Sequence, residues 1–247
     1  MNFKITNDNK FIGILGLPKS GKTSLLKKIS EEVKNISVFD YSFNDIKRVV
    51  DLINEASVDE SYFYYLLNKY HFNLNDEISH MEVSVQKKLK IISVIVKKPH
   101  ILILDDFDKD LNPFIKEQLV EMLLDYQKKF QSLVIFSTIT PFDIVKFDAR
   151  LILLHDYRVI IDMDIKDIFD YFGIINCTEA EFNLLNKEYI FSYLKNYYKY
   201  TVLIKNKKSY HNIDLVFEKN TIDIIVKLIL GGEKIDNNPI ISLNKVV

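Results

Sequence analysis

Along the first 157 residues, short unbroken apolar runs alternate with stretches in which apolar positions recur every three or four residues. An unbroken run of four to six apolar residues fits a strand buried on both faces, and the wider spacing fits an amphipathic helix. Residues 11–15 form such a run, followed by a glycine-bearing loop and by helical spacing over 23–29. Residues 36–39 read as a second strand. Polar and aromatic helical patterns follow over 44–54 and 60–69, and a helix over 84–98 stops before Pro99, a residue that cannot continue it. Residues 101–104, 133–136 and 151–154 repeat the buried-strand pattern, and Pro113 opens a helix that runs to Phe130. Strands alternating with helices in this way predict an α/β sheet. After Arg158 the pattern changes. An aromatic helix around 190–200, strands at 201–205 and 213–217 and a last helix from Thr221 predict a small α+β subdomain over 158–247, beside a first domain over 1–157.

The loop after the first strand carries the clearest chemistry. Gly16-Leu17-Pro18-Lys19-Ser20-Gly21-Lys22-Thr23 matches G-x-x-x-x-G-K-[ST] in its required context, after a strand and before a helix. Glycines let backbone N–H groups wrap phosphates, and the helix N-terminus adds a favourable dipole. Gly16, Pro18, Lys19, Ser20, Gly21, Lys22, Thr23 and Ser24 are thus the candidate nucleotide-binding residues, with Lys22 on the β and γ phosphates and the Thr23 hydroxyl on magnesium. Such a loop needs a magnesium-orienting carboxylate at the end of a nearby strand, and Asp105 supplies it after the apolar run 101–104. Asp106 then stands where a water-polarising base belongs, as the candidate catalytic residue.

Composition narrows the remaining choices. At 247 residues, with 48% hydrophobic and 27% charged residues, the chain is an ordinary globular protein with ample core. Thirty-three basic against 34 acidic residues give a net charge of -1, without the broad positive field of a nucleic-acid binder. The single cysteine, Cys177, makes no internal disulfide, which suits a reducing compartment, and no Cys/His spacing resembles a zinc site. The apolar runs are too short to span a bilayer, so membrane association is expected through a partner. Of only six glycines, none lies between Gly21 and Gly173.

In this order of residues the chain resembles the ATP-binding subunits of ABC transporters, most closely those that power separate exporter permeases. The segment 97–106 resembles that family's run into its Walker B carboxylate, 108–113 its D-loop and 150–160 the closing hairpin of its nucleotide domain. Segments 165–173 and 221–232 are similar to the two helices that often end such subunits. The resemblance implies a P-loop nucleotide-binding domain with a helical subdomain at about 43–98, Mg-ATP as ligand, and a homodimer or a heterodimer with another ATP-binding subunit. It also implies a membrane permease as partner, no nucleic acid, and a peripheral place on the cytoplasmic face of the membrane. The competing reading is a P-loop regulatory or scaffold module with a soluble partner.

Departures from the family pattern predict impaired hydrolysis. Met81-Glu82-Val83-Ser84-Val85 stands where the family carries a glycine-containing signature, and there Glu82 either faces nucleotide or simply points to solvent at a helix start. No histidine lies between His100 and His155, so the switch-histidine position near Ser137–Thr140 is vacant. Asp106 replaces a glutamate one methylene longer, and a misplacement of about 1 Å can cost on the order of 100-fold in rate. The stretch 37–44 has no glutamine for a Q-loop, and no upstream aromatic stands where the family stacks on adenine.

Three further segments have two readings each. The aromatics among 62–72 either mark an interface or pack within the helical subdomain. Tyr193, Tyr197, Tyr198 and Tyr200 either form a regulatory or dimer surface or pack in a core, the default. Lys87, Lys88 and Lys90 read as a solvated helix face or, less often for such a run, a nucleic-acid site.

Overall fold

In the computed structural model, residues 10–32, 36–38, 46–54, 58–210, 217–234 and 241–242 are described. The chain divides into two units, one of Met1–Ile14 with Lys22–Ile139, the other of Leu15–Gly21 with Thr140–Val247.

The first unit follows the alternation read from the sequence. Its elements are β1 (Phe11–Leu15), α1 (Lys22–Glu32), β2 (Ile36–Val38), α2 (Glu60–Lys69), α3 (Val83–Ile95), β3 (Ile101–Leu104), α4 (Pro113–Phe130) and β4 (Leu133–Thr138). The strands lie in the order β1-β4-β3-β2. Strand β3 runs parallel to both β2 and β4, with Ile101 opposite Leu133 and Leu104 opposite Phe136. Every residue of β1 and β4 is buried, which explains why these strands read as continuous apolar runs without alternation.

Helices α2 and α4 of this unit begin on side-chain caps. The Asp59 carboxylate accepts the Tyr62 N–H at 2.9 Å to start α2. Asn112 accepts the Ile115 N–H at 2.8 Å ahead of Pro113, and Gln131 ends α4 in the left-handed region. On α4, Tyr126 is fully buried; its hydroxyl donates to the Pro99 carbonyl at 2.7 Å and accepts from Ser132 Oγ at 3.1 Å. Burial pushes that phenol up to about 12.

Two expectations for this unit change. In place of a helix over 44–54, the described part is a 3-10 turn, Val49–Asn54, following a one-residue antiparallel bridge between Arg48 and Glu77. The Val50 N–H bonds to Leu74 O and the Ile78 N–H to Lys47 O, so this stretch is tied to the loop before α3 and does not continue as α-helix. Lys87 and Lys88 are buried, contrary to the solvated face expected of them. Lys88 Nζ donates to Gln118 Oε1 at 2.7 Å and lies over the rings of Tyr70 and Phe72, which satisfy the charge that burial would otherwise expose as a cost.

The second unit contains α5 (Pro141–Lys146), β5 (Arg150–His155), β6 (Arg158–Asp164), α6 (Ile165–Tyr171), β7 (Gly173–Thr178), α7 (Glu179–Leu184), β8 (Ile190–Asn196), β9 (Lys199–Ile204), α8 (Ile222–Gly231) and β10 (Ile241–Ser242). Strands β5 and β6 form an antiparallel hairpin clamped by a two-point ion pair, Arg150 to Asp162 at 2.6 and 2.8 Å, and β10 pairs parallel with β6. Strands β7, β9 and β8 make a separate antiparallel sheet in that order. Its core gathers Ile175, Cys177, Phe182, Tyr200, Val202 and Ile204, with the Phe182 and Tyr200 rings stacked at 4.2 Å.

The aromatic helix expected over 190–200 is therefore two strands and a turn. The four-residue step from Tyr193 to Tyr197 looks helical, but Tyr197 sits at the hairpin tip with φ 49° and is almost fully exposed. A bulge between Ile190 and Ser192 further breaks the period-two pattern that would have marked β8. Ser192 is buried there because its hydroxyl donates to Leu228 O of α8 at 2.8 Å. Strand β9 covers most of the expected 201–205 strand, whereas 213–216 lies outside the described residues.

Replacing Tyr126 with Phe removes the donor to Pro99 O without opening a cavity. A buried carbonyl left without its partner costs about 1–2 kcal/mol. Tyr126→Phe should lower the urea midpoint of the protein by that equivalent, with an unchanged m-value. A midpoint identical to wild type would show that the bond contributes nothing net.

Candidate functional site

After the fully buried strand β1 the chain turns into residues 16–21. The Ser20 N–H bonds to Leu17 O at 3.1 Å, and Ser20 O accepts the Tyr157 N–H at 3.0 Å, closing the turn. A Cβ on Gly16 would lie 2.4 Å from Ser20 Oγ and 2.7 Å from Leu154 O, so only glycine fits. Gly21 has φ 104°, a conformation side chains rarely adopt, and a Cβ there would meet the Tyr157 ring at 2.8 Å. Gly16 and Ser20 are buried, whereas Leu17, Pro18 and Lys19 are exposed. Ser20 Oγ is buried and, among the described residues, has no hydrogen-bond partner. A buried hydroxyl without a partner beside a glycine cradle suits a ligand that brings acceptors, as a phosphate does.

Helix α1 begins at Lys22, which is buried; Thr23 and Ser24 are exposed at its first turn. Thr23 Oγ1 donates to Asp105 Oδ2 at 2.7 Å, so the residues picked out from two distant motifs meet. Asp105 follows directly on β3, and Ser137 of β4 stands level with it because Leu104 is in register with Phe136. Ser137 Oγ donates to Asp105 Oδ1 at 2.5 Å and accepts the Asp106 N–H at 2.7 Å. The Asp106 N–H also reaches Asp105 Oδ1 at 3.0 Å, and the Phe107 N–H bonds to Ser137 O at 2.9 Å.

Ser137 was legible only in part. The family resemblance implies a histidine near this position, whereas here a serine hydroxyl ties the two aspartates to the neighbouring strand. Registering the two apolar runs against each other is the signal that finds it.

Asp106 takes a left-handed backbone, φ 44°, as does Asp110 at φ 57°. Both line a cavity of about 400 Å³ with Asp105, Lys109, Val83, Gln86 and Lys87. Lys87 Nζ donates to the carbonyls of Asp106 and Lys109, each at 2.8 Å. Burial pulls its ammonium down to about 8, against the opposing pull of Asp108, Asp110 and Asp106. Sequence reasoning missed this lysine because its partners are backbone groups about twenty residues away along the chain.

At the start of α3, Glu82 is the N-cap residue, exposed and without a side-chain capping bond. Val83 is exposed, and Ser84 is buried with Oγ accepting from Asn112 Nδ2 at 3.1 Å. The stretch expected to hold a Q-loop lies largely outside the described residues.

The donor set fits magnesium bound through a nucleotide. Among the described residues no cluster of three or more His, Cys, Asp or Glu side chains is placed to hold a metal. The chain offers one hydroxyl, Thr23, and one carboxylate, Asp105, a set that magnesium completes with phosphate oxygens and water.

No family model matches the chain. It is similar to a probable ABC transporter ATP-binding protein, p29, of Mesomycoplasma hyorhinis, at 23% identity over 194 residues, covering 60% of this chain and 77% of that protein. It is also similar to the energy-coupling factor transporter ATP-binding protein EcfA2 of Clostridium tetani, at 22% identity over 144 residues, covering 58% of this chain and 46% of that protein. The chain thus spans less than half the length of the second relative. Among solved structures, a putative metal-chelate type ABC transporter in an inward-facing conformation superposes with a TM-score of 0.56 at 16% identity, over 83% of this chain and 90% of that one. A dimeric ATP-binding cassette in a post-hydrolysis state with ADP and Pi gives 0.55 at 17% identity, over 66% and 88%. The fold of this chain is that of the ABC-type nucleotide-binding domains.

Proposed function

We propose that the chain is the ATP-binding subunit of an ABC-type transporter, coupling Mg-ATP binding to a separate membrane permease with slow or absent turnover. One observation carries the reading: the phosphate-loop hydroxyl, Thr23, bonded to the strand-end carboxylate, Asp105. In this reading Gly16, Pro18, Lys19, Ser20, Gly21, Lys22, Thr23 and Ser24 surround the phosphates, and Thr23 and Asp105 hold magnesium. Support comes from two relatives named as transporter ATP-binding proteins and from the shared fold. The exporter subtype draws on the sequence resemblance alone, and one of these relatives is named for an energy-coupling factor transporter. A paired subunit is supported by the dimeric state of one structural neighbour. Nothing in the structure favours the soluble regulatory module.

Slow turnover follows from what surrounds Asp106. Its side chain is one methylene short, its backbone N–H and carbonyl are both held, and the segment Met81–Val85 brings no glycine toward a nucleotide. The route to the membrane is through a partner: among the described residues no helix is long and apolar enough to cross a bilayer. On α2, Tyr62 and Phe63 are buried, whereas Tyr64 and Tyr65 are 45% and 56% exposed, so the two readings of this segment divide between its residues. The exposed pair is the docking candidate on the helical subdomain.

Two experiments test this. Equilibrium titration should show Mg-ATP binding that Lys22→Ala greatly weakens, with steady-state hydrolysis near background even with the native partner. Equal affinity in the variant removes the nucleotide site, and a vigorous ATPase abolished by Asp106→Asn removes the slow-turnover reading. In the second, the protein should co-purify with membranes under mild extraction, and Tyr64→Asp or Tyr65→Asp should release it while ATP binding persists. Wholly soluble fractionation of the wild type would overturn the transporter reading.

A further inference from the structure

The first turns of α3 and the segment after β3 are separated by about twenty residues of chain, yet they are fastened together by side chains that have no need to be buried for helix formation. Lys87 reaches across with its ammonium to two carbonyls, Asp106 O and Lys109 O, and so closes the turn between them from outside. Three residues earlier on the same helix, Ser84 Oγ accepts from Asn112 Nδ2, the side chain that also caps α4. The turn so held is conformationally expensive: Asp106 and Asp110, at its two ends, are both left-handed. A buried lysine is equally expensive unless its charge is answered, and here it is answered by two carbonyl oxygens and three nearby aspartates, Asp106, Asp108 and Asp110. Each cost is offset by the other, which is the pattern of a strained functional segment supported by its surroundings.

We propose that Lys87 is a positioning residue for the nucleotide site: it locks the start of α3 to the Asp106–Lys109 turn, so that the two segments move as one body, and it offsets the negative charge around Asp105 and Asp106. This inference rests on the assignment of Asp105 as the magnesium carboxylate. ATP carries one more charged phosphate than ADP, so a cation set among Asp105, Asp106 and Asp110 acts on what distinguishes the two nucleotides. Without the charge of Lys87 the cavity wall keeps Asp105, Asp106 and Asp110 against Lys109 alone, and the extra phosphate of ATP meets more repulsion than ADP does.

The test measures Mg-ATP and Mg-ADP affinity by titration calorimetry on wild type, Lys87→Met, Lys87→Arg and Ser84→Ala. Lys87→Met keeps the length and apolar stem but loses the donors and the charge; it should weaken ATP by about tenfold, the scale of an unsatisfied buried group, while ADP changes much less. Lys87→Arg should recover most of the ATP preference. Ser84→Ala breaks the neighbouring fastening only and should leave the ATP-to-ADP ratio unchanged. Equal losses for ATP and ADP in Lys87→Met, or the same change of ratio in Ser84→Ala, would reduce Lys87 to packing and overturn the proposal. Should Lys87→Met fail to fold, amide exchange on the wild type decides: residues 83–87 and 105–110 should gain protection together when Mg-ATP is added, and protection of one segment without the other would overturn it. Absence of any ATP binding by the wild type is a different failure, of the nucleotide reading itself. In that event the clasp is judged by whether the same two segments open together in the protein without nucleotide.

Discussion

The carboxylate of Asp105 is the point on which the loop end of the first unit depends. One oxygen takes the hydroxyl of Thr23, and the other takes the hydroxyl of Ser137 and the N–H of Asp106. Hydrogen bonds to an ionised acceptor are the strong ones, and three of them converge on a single side chain. Through them the first turn of α1, the end of β3 and the end of β4 are held to one another, and the chain direction after β3 is fixed by the bond that Asp106 makes back to its neighbour. Parallel pairing makes this possible. Because β3 and β4 run the same way and stay in register to Leu104 and Phe136, the next residue on each arrives at the same edge of the sheet.

The parts of this arrangement that the sequence displays are those governed by local rules. Strands buried on both faces must be apolar throughout, so β1, β3 and β5 stand out as unbroken runs, and a loop that needs a left-handed residue at position 21 displays a glycine. Caps are also local: Pro113 begins α4 one residue after the asparagine that caps it. Lys87, Lys88 and Ser137 follow no local rule. A lysine counts as polar in any periodic pattern, and polar on a helix implies solvent; whether its ammonium can be buried depends on acceptors that the fold brings from elsewhere. For Lys87 these are backbone carbonyls, which no sequence pattern marks. Ser137 is hidden for the opposite reason, because serine at a strand end is unremarkable until the neighbouring strand is known to end in a carboxylate.

The three-stranded sheet of the second unit shows a different limit. Its hairpin tip carries Tyr197 and Tyr198 where a turn would ordinarily carry asparagine and glycine, so the punctuation that separates two strands is missing from the sequence. The bulge at the other end of β8 removes the alternation. With both signals gone, aromatic residues at four-residue steps imitate a helix. The identity of the side chains pointed the other way: isoleucine, phenylalanine, tyrosine and valine favour a pleated surface, and here they pack as one.

That core also encloses the one cysteine of the chain. Cys177 lies on β7 among Ile175, Phe182 and Tyr200, and burial raises its thiol above the ordinary range. A maleimide or disulfide reagent added to the native protein therefore has a single target, reachable only when the β7-β9-β8 sheet opens. The rate of that modification is a clock for the breathing of the second unit alone, read without introducing a label or removing a competing thiol from the first.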